Sequence, residues 1–532
     1  MRVSKSSRRI AGLLFGLCSG LAMAQAGGAL DILEFAVEGN TALRAEAVER
    51  AVTPFLGPGR AVSDVDAARA ALEKAYHDAG FLTVTVEVPN QKVDEGVVVL
   101  QVVEGRIERY KVSGAEYTLP SKVREATPSM AAGTVPNFNE IQEDLTRLGR
   151  NPDLRVNPLL RPGARPGSVE IELAMEDASP LHGSIELNNK QGADTDTGRV
   201  EAAVRYDNLW QRRHSIGFNY FVAPTDPDHV QVWGVNYAMP VGKATLAGYF
   251  VRSNSDVPTV FDTQSLGDGD TLGLRWIRPL PLAGRLYHSV SLGVDYKDND
   301  QTTVLLDEAF TVQQPLRYWA LSAAYSGGYV GDDGEWKFGA SVVLGPRGPN
   351  ERTVRDSAGN PVDQFENRRP GARPNFSLWR ADLEYRHPFG AGWQALARAE
   401  LQGANGPLVN TEQFSAGGMD SVRGYLEGEL QGDDGTRLAL ELQTPSLLTI
   451  AERYPLIGVA FYDWARLRTR DAAEGQRESS LLASAGLGLR VGDKRGLSGE
   501  LLWATVFHDG ASAEDRTRDG DGAAVLRMKY EF

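Results

Sequence analysis

The run Val422-Arg423-Gly424-Tyr425 carries the most specific chemistry in this 532-residue chain. Arginine presents a planar fork of N–H donors that can hold one carboxylate with two hydrogen bonds. The glycine lets backbone pack closely against a wall, and the tyrosine adds a flat ring with a polar tip. Gly417-Gly418 stand just ahead and permit positive φ, and a strand-like run begins near Thr436. Taken alone, these residues fit an ordinary hairpin loop equally well.

Catalytic constellations do not appear. The seven histidines are scattered, no His-Glu-x-x-His pair occurs, and no Gly-x-Ser-x-Gly elbow or phosphate-cradling loop is present. Gly267-Asp268-Gly269-Asp270 and Asp519-Gly520-Asp521-Gly522 lack the spacing of a full calcium loop and read as solvated tips. No enzyme activity, cofactor or metal is therefore expected. A net charge of −14 disfavours a nucleic-acid partner, which calls for a basic stripe.

At the N-terminus, Met1–Ala24 reads as a secretory leader: a basic start, an apolar run from Ile10, and small residues at Ala22-Met23-Ala24. Cys18, the one cysteine, lies inside it, with Leu17 where a lipidation signal wants a small residue. No later apolar run is long enough for a transmembrane helix. Any membrane crossing must then use a closed barrel, because hydrocarbon leaves unpaired backbone unsatisfied.

Two α+β units come first. Ile32–Glu38, Ala45–Phe55, Asp64–Ala79, Leu82–Val88 and Val97–Val103 read as strand, helix, helix, strand, strand. The order repeats as Ile107–Val112, Ser121–Met130, Phe138–Leu148, Leu154–Leu160 and Ser168–Met175. This gives units at 30–105 and 106–177, which resemble POTRA domains, periplasmic modules that hold incoming chains at a sheet edge.

From Leu181 the period becomes 2. Ser377–His387 sets Trp379, Ala381, Leu383 and Tyr385 against Arg380, Asp382, Glu384 and Arg386, and the last strand sets Met528, Tyr530 and Phe532 against Arg527, Lys529 and Glu531. Apolar-face aromatics near strand ends (Trp276, Tyr296, Trp336, Trp379, Tyr385, Trp464, Phe507, Tyr530) suit the two interfaces of a bilayer. The ending at Phe532, with Tyr530 and Met528 behind it, resembles the terminal signature of bacterial outer-membrane barrels. That likeness implies lipid contact and insertion by the barrel-assembly machinery. About 16 strands fit between residue 181 and the end, an even number as such barrels require. Connections after even strands are tight (Val241-Gly242, Pro279–Gly284, Pro388–Gly392). Those after odd strands are long (Ser253–Gly267, Asp298–Gln314, Pro346–Asn375, Arg466–Ser479, Asp509–Gly522), and Pro224–Asp228 is the short exception. The opening run then falls in the sixth external loop, about 403–435. The polar wall is expected from Arg380, Glu384, Arg398, Glu400, Arg437, Glu441, Arg490, Glu500, Arg527 and Lys529.

A barrel preceded by two POTRA-like units and bearing Val-Arg-Gly-Tyr in its sixth loop resembles the two-partner secretion transporters, the haemolysin secretion/activation family. The likeness covers essentially the whole mature chain. It implies that the sixth loop folds into the lumen and that its arginine meets an aspartate on the inner wall. The matching segment is Gly458–Trp464, where Phe461 and Asp463 share one face of strand 13. It further implies an outer-membrane translocator that takes an unfolded exoprotein from the periplasm, such as a haemolysin or adhesin. Many members add a plug helix ahead of the first POTRA domain, and the few residues between Ala24 and Ile32 leave no room for one. A barrel-assembly factor shares the motif, and a passive porin or receptor would need no N-terminal units.

Overall fold

The computed structural model describes residues 30–532, except 94, 150, 152, 166, 194, 229, 255–256, 261–262, 267, 301, 306–309, 357, 494–495 and 512–516. The leader and the stretch following it lie outside the described residues. The chain divides into two compact units, residues up to Asp177 and Ala178–Phe532.

The N-terminal unit holds two small three-stranded sheets. In the first, Val97–Val103 is central, with Glu34–Glu38 parallel on one side and Thr85–Glu87 antiparallel on the other. The helix Val62–Asp78 turns Val65, Ala68, Leu72 and Tyr76 toward the sheet, spaced as a helical stripe, and Val98, Leu100 and Val102 meet them. In the second sheet Val169–Asp177 is central between Ile107–Ser113, parallel, and Leu154–Pro162, antiparallel. The two α+β units are joined by Phe138 N–H donating to Gly80 O (2.9 Å) and the Asn137 amide donating to Ala79 O (3.2 Å).

Three boundaries differ from the sequence reading. The single helix expected over Ser121–Met130 is instead Pro120–Ala126 followed by one tight turn, Pro128–Met130. Pro128 is the reason: proline disfavours helical backbone at the residue before it, and Thr127 sits at φ −125°, ψ 59°. The strand expected over Leu82–Val88 shortens to Thr85–Glu87. Leu30–Ile32 forms a separate ribbon with Gly57–Arg60, a stretch that carries no strand signal of its own.

The second unit is a closed barrel of 16 antiparallel strands. Its first strand, Leu181–Asn188, pairs with its sixteenth, Gly522–Glu531, and Gly183 and Phe532 exchange backbone hydrogen bonds at 3.0 and 3.1 Å. Alternation builds the wall. In the twelfth strand, Asp434–Ile450, Leu438, Leu440 and Leu442 are exposed outward, while Arg437 and Glu441 point inward and are largely covered. Outward aromatics cluster across strands: Trp336 stacks on Tyr385 at 3.9 Å and Tyr296 lies 5.0 Å from Trp319. Amphipathic rings of this kind suit a lipid–water boundary.

The third and fourth external loops carry hairpins of their own, Val257–Val260 with Thr263–Leu266 and Thr302–Leu305 with Phe310–Gln313. The fifth, between Leu344 and Ser377, holds two helical turns and the hairpin Thr353–Arg355 with Pro361–Asp363.

Candidate functional site

The sixth external loop leaves the eleventh strand, Trp393–Ala404, and returns at Asp434. It descends as a ribbon, Phe414–Ala416 against Leu430–Gly432, and ends in a tight tip. Gly418 allows that tip: its φ is +106°, and a Cβ there would meet the Glu427 carboxylate at 2.3 Å. Within the tip, Met419 N–H donates to Glu427 Oε1 at 2.7 Å.

Arg423 lies inside the barrel against the thirteenth strand, Tyr454–Arg468. Its Nε and Nη2 donate to Asp463 Oδ2 and Oδ1 at 2.7 and 2.8 Å, and its backbone N–H donates to Oδ2 at 3.1 Å. Asp463 is 0 % exposed. A carboxylate buried this deeply is unfavourable unless several donors reach it, and here three come from one residue. The guanidinium also stacks on the Phe461 ring, 3.6 Å from its centroid. Its remaining Nη1 donates to Glu441 Oε2 at 3.1 Å. Glu441 in turn receives Arg490 Nη1 at 2.8 Å, and Arg490 reaches Glu500 at 2.5 Å.

The neighbours of Arg423 complete the seat. Val422 is fully buried among Ala465, Leu467, Leu482 and Val506. Gly424 sits at φ +97°, where an added Cβ would lie 3.0 Å from Ala504 Cβ and Val506 Cγ1. The Tyr425 hydroxyl donates to His508 O at 2.8 Å and accepts from Ala483 N–H at 3.3 Å. Thus all four residues of the run touch the inner wall on strands 13 to 15 and the loop that follows.

The ten charged wall residues come together mainly as pairs. Arg398 donates to Glu384 (2.8 Å), Arg437 to Glu400, and Arg490 to Glu441 and Glu500; Arg380 reaches Gln402 (2.7 Å) and Glu412 O (3.3 Å). Arg527 pairs with Asp420 and with Glu186 (2.9 Å), and Lys529 with Glu531 (3.3 Å). Two cavities lie beside the loop tip, about 600 and 420 Å3. Both are walled by these pairs, so charge is locally balanced around space large enough for many waters.

Sequence reasoning did not single out the acids that fasten the loop elsewhere. Asp420 receives Lys190 (2.9 Å) and Arg527, so it joins the end of strand 1 to strand 16. Glu412 takes Lys297 Nζ at 2.7 Å and Tyr318 OH at 2.8 Å. Glu429 accepts Ala511 N–H at 3.0 Å and Thr517 Oγ1 at 3.1 Å from the eighth loop. Each lies in a loop with no periodicity, which removes the one signal that marks a facing residue. Asn208, near the end of the second strand, Arg199–Leu209, has φ +67°, and Trp210, in the turn that follows, is 67 % exposed.

A model of the haemolysin secretion/activation proteins ShlB/FhaC/HecB matches residues 167–491, and a ShlB-type POTRA model matches 30–105. The chain belongs to the haemolysin secretion/activation family. This family member is 24 % identical over 432 residues to the outer membrane transporter CdiB of Escherichia coli, covering 76 % of this chain and 67 % of that one. It is 19 % identical over 460 residues to the heme/hemopexin transporter protein HuxB of Haemophilus influenzae, covering 82 % and 76 %. The solved structure of CdiB from Escherichia coli superposes with a TM-score of 0.65 at 19 % identity, covering 97 % of this chain and 93 % of that one. CdiB from Acinetobacter baumannii gives 0.57 at 17 %, covering 95 % and 90 %. These two likenesses concern the fold. As a family member, this transporter is an outer-membrane barrel with its POTRA domains in the periplasm.

Proposed function

We propose that this transporter receives an unfolded partner exoprotein at its POTRA pair and passes it outward through the barrel, with loop 6 as the element that sets whether the lumen is open. The observation that carries this reading is the Arg423–Asp463 pair, two-handed and buried in the lumen. A loop tip held by side-chain ion pairs and hydrogen bonds, rather than by strand pairing with the wall, can take two positions without unfolding the wall that holds it. Sheet edges such as Glu34–Glu38 and Leu154–Pro162 offer backbone donors and acceptors to an extended client, which tolerates varied side chains. The paired lumen charges give a wetted passage without strong preference for either sign. No step in this cycle calls for bond chemistry. Folding of the client outside supplies the direction. The partner is a large exoprotein of the haemolysin or adhesin kind, the barrel-assembly machinery engages the Met528–Phe532 strand, and the outward apolar face meets lipid.

The test is charge reversal at the latch. Arg423→Asp and Asp463→Arg should each lower export of the partner exoprotein, with the barrel still present in the outer membrane. Normal export by both variants would remove the latch from the mechanism. Deleting residues 30–177 separates a transporter, which should lose export, from a porin, which should conduct unchanged.

A further inference from the structure

Loop 6 is held at its root as well as at its tip. Asp433, where the loop rejoins the wall, is 0 % exposed and gathers donors from three external loops. Arg369 of loop 5 donates to both carboxylate oxygens, at 2.5 and 2.7 Å. Leu408 N–H, on the other limb of loop 6, donates to Oδ1 at 2.8 Å, and Arg470 N–H of loop 7 donates to Oδ2 at 2.7 Å. Arg369 also donates to Leu408 O and Arg470 O, at 2.5 and 3.1 Å.

Loop 5 itself is fixed to the wall. The eighth strand, Leu316–Val330, begins five residues before its pairing with the ninth starts at Leu321. The free backbone at Arg317 and Trp319 is met by side chains of loop 5. Gln364 accepts from Arg317 N–H (3.0 Å) and donates to Arg317 O (2.8 Å). Asn350 accepts from Trp319 N–H (2.7 Å) and donates to Trp319 O (2.9 Å). Both amides are buried, as is Phe365, which packs with Phe376 on the inward-facing Leu316 and Tyr318. Leu408 and Val409 of loop 6 close the same apolar cluster. Loop 5 is therefore a stationary jaw on the external end of strands 8 to 10, and loop 6 rests against it.

We propose that Arg369 and Asp433 form a second catch on the exit side, holding the root of loop 6 against loop 5, and that the channel opens only when this joint parts. The proposal rests on the transport reading above in assigning the opening to client passage. It adds a positioning pair that acts through loop 6 and touches no client.

The joint can be locked covalently. A Cβ built on Gly371 of loop 5 lies 3.9 Å from Pro407 Cβ of loop 6, within the range that a disulfide spans, though the φ of +80° at Gly371 makes any side chain there cost some backbone strain. The described residues hold no competing cysteine, since the chain's one cysteine, Cys18, precedes them. The full-length barrel carrying Gly371→Cys and Pro407→Cys is reconstituted in planar bilayers, and the same variant is expressed with its secreted partner. Oxidation should abolish channel openings and surface appearance of the partner, and dithiothreitol should restore both. Unchanged openings in the oxidised protein overturn the proposal. Arg369→Gln provides an independent arm, because it frees the joint rather than locking it: the fraction of time open should rise about tenfold, and no rise overturns the catch. If the reduced double variant is itself silent, this arm decides alone. A wild-type protein that exports no partner while Arg369→Gln still raises conductance would refute the transport reading and leave the catch standing.

Discussion

Asp463→Asn isolates the charge of the latch while keeping its shape. In the native protein Asp463 takes three hydrogen bonds from Arg423 and has no exposed surface. Breaking a buried ion pair by neutralising one partner costs about 3–5 kcal/mol, mostly because the other charge is left uncompensated. Arg423 is not left alone, however, since Glu441 lies 3.1 Å from its Nη1 and the Phe461 face covers it. The lower end, about 3 kcal/mol, is then the expected loss, which corresponds to more than a hundredfold shift toward the undocked loop. Limited trypsin digestion of reconstituted barrels reads this directly. The protease cannot reach Arg423 in the lumen, so cleavage after it reports the undocked population when closing is fast. The rate should rise about a hundredfold over wild type, with cleavage at exposed external sites such as Arg347 of loop 5 unchanged as the internal standard. An equal cleavage rate at Arg423 in both proteins would refute the idea that this pair holds the loop.

Gly424→Ala should weaken the same seat by another route. Its φ of +97° disfavours any Cβ, and the methyl would press on Ala504 and Val506, so a cost of about 1–3 kcal/mol and a matching rise in trypsin cleavage at Arg423 are expected. Glu427 gives a pH dependence. Burial pushes its carboxyl up to about 7; Lys190 opposes this, and Asp420 and Glu201 add to it, with Arg199 also facing the site. The docked loop therefore binds a proton that the free loop releases. Docking is firmest below the ordinary glutamate range and weakens as pH rises through about 7, so open time in bilayers should be greater at about pH 8 than at about pH 5.5. Glu427→Gln should flatten that difference.

The barrel was legible because every wall strand has one face toward water and one toward lipid. Strands such as Ser377–Phe389 and Gly522–Glu531 print that difference as strict alternation, and their parity fixes which side chains look inward. Alternation says nothing about which inward groups touch. Glu441 is one of ten charged wall residues in sequence, and only the fold shows that it shares Arg423 with Asp463. The hairpins of loops 3 and 4, and the ribbon of Leu30–Ile32 with Gly57–Arg60, escaped for a related reason. They are short, and Gly57-Pro58-Gly59-Arg60 has turn composition, so tertiary pairing rather than local preference makes it extended. Asp433 stands between Gly432 and Asp434-Gly435, where an acid among glycines looks like solvated punctuation rather than the hub of three loops.

The amides of Asn350 and Gln364 have a consequence beyond holding a loop in place. A bare strand margin is a template: it will hydrogen-bond to any extended peptide that drifts past. Cargo that travels unfolded is made of such peptides, and the rim of its own conduit would be the first surface to snare it. By occupying the Arg317 and Trp319 backbone with side chains, the protein makes that rim non-adhesive, so that what emerges is free to fold on itself instead of stalling on the doorway.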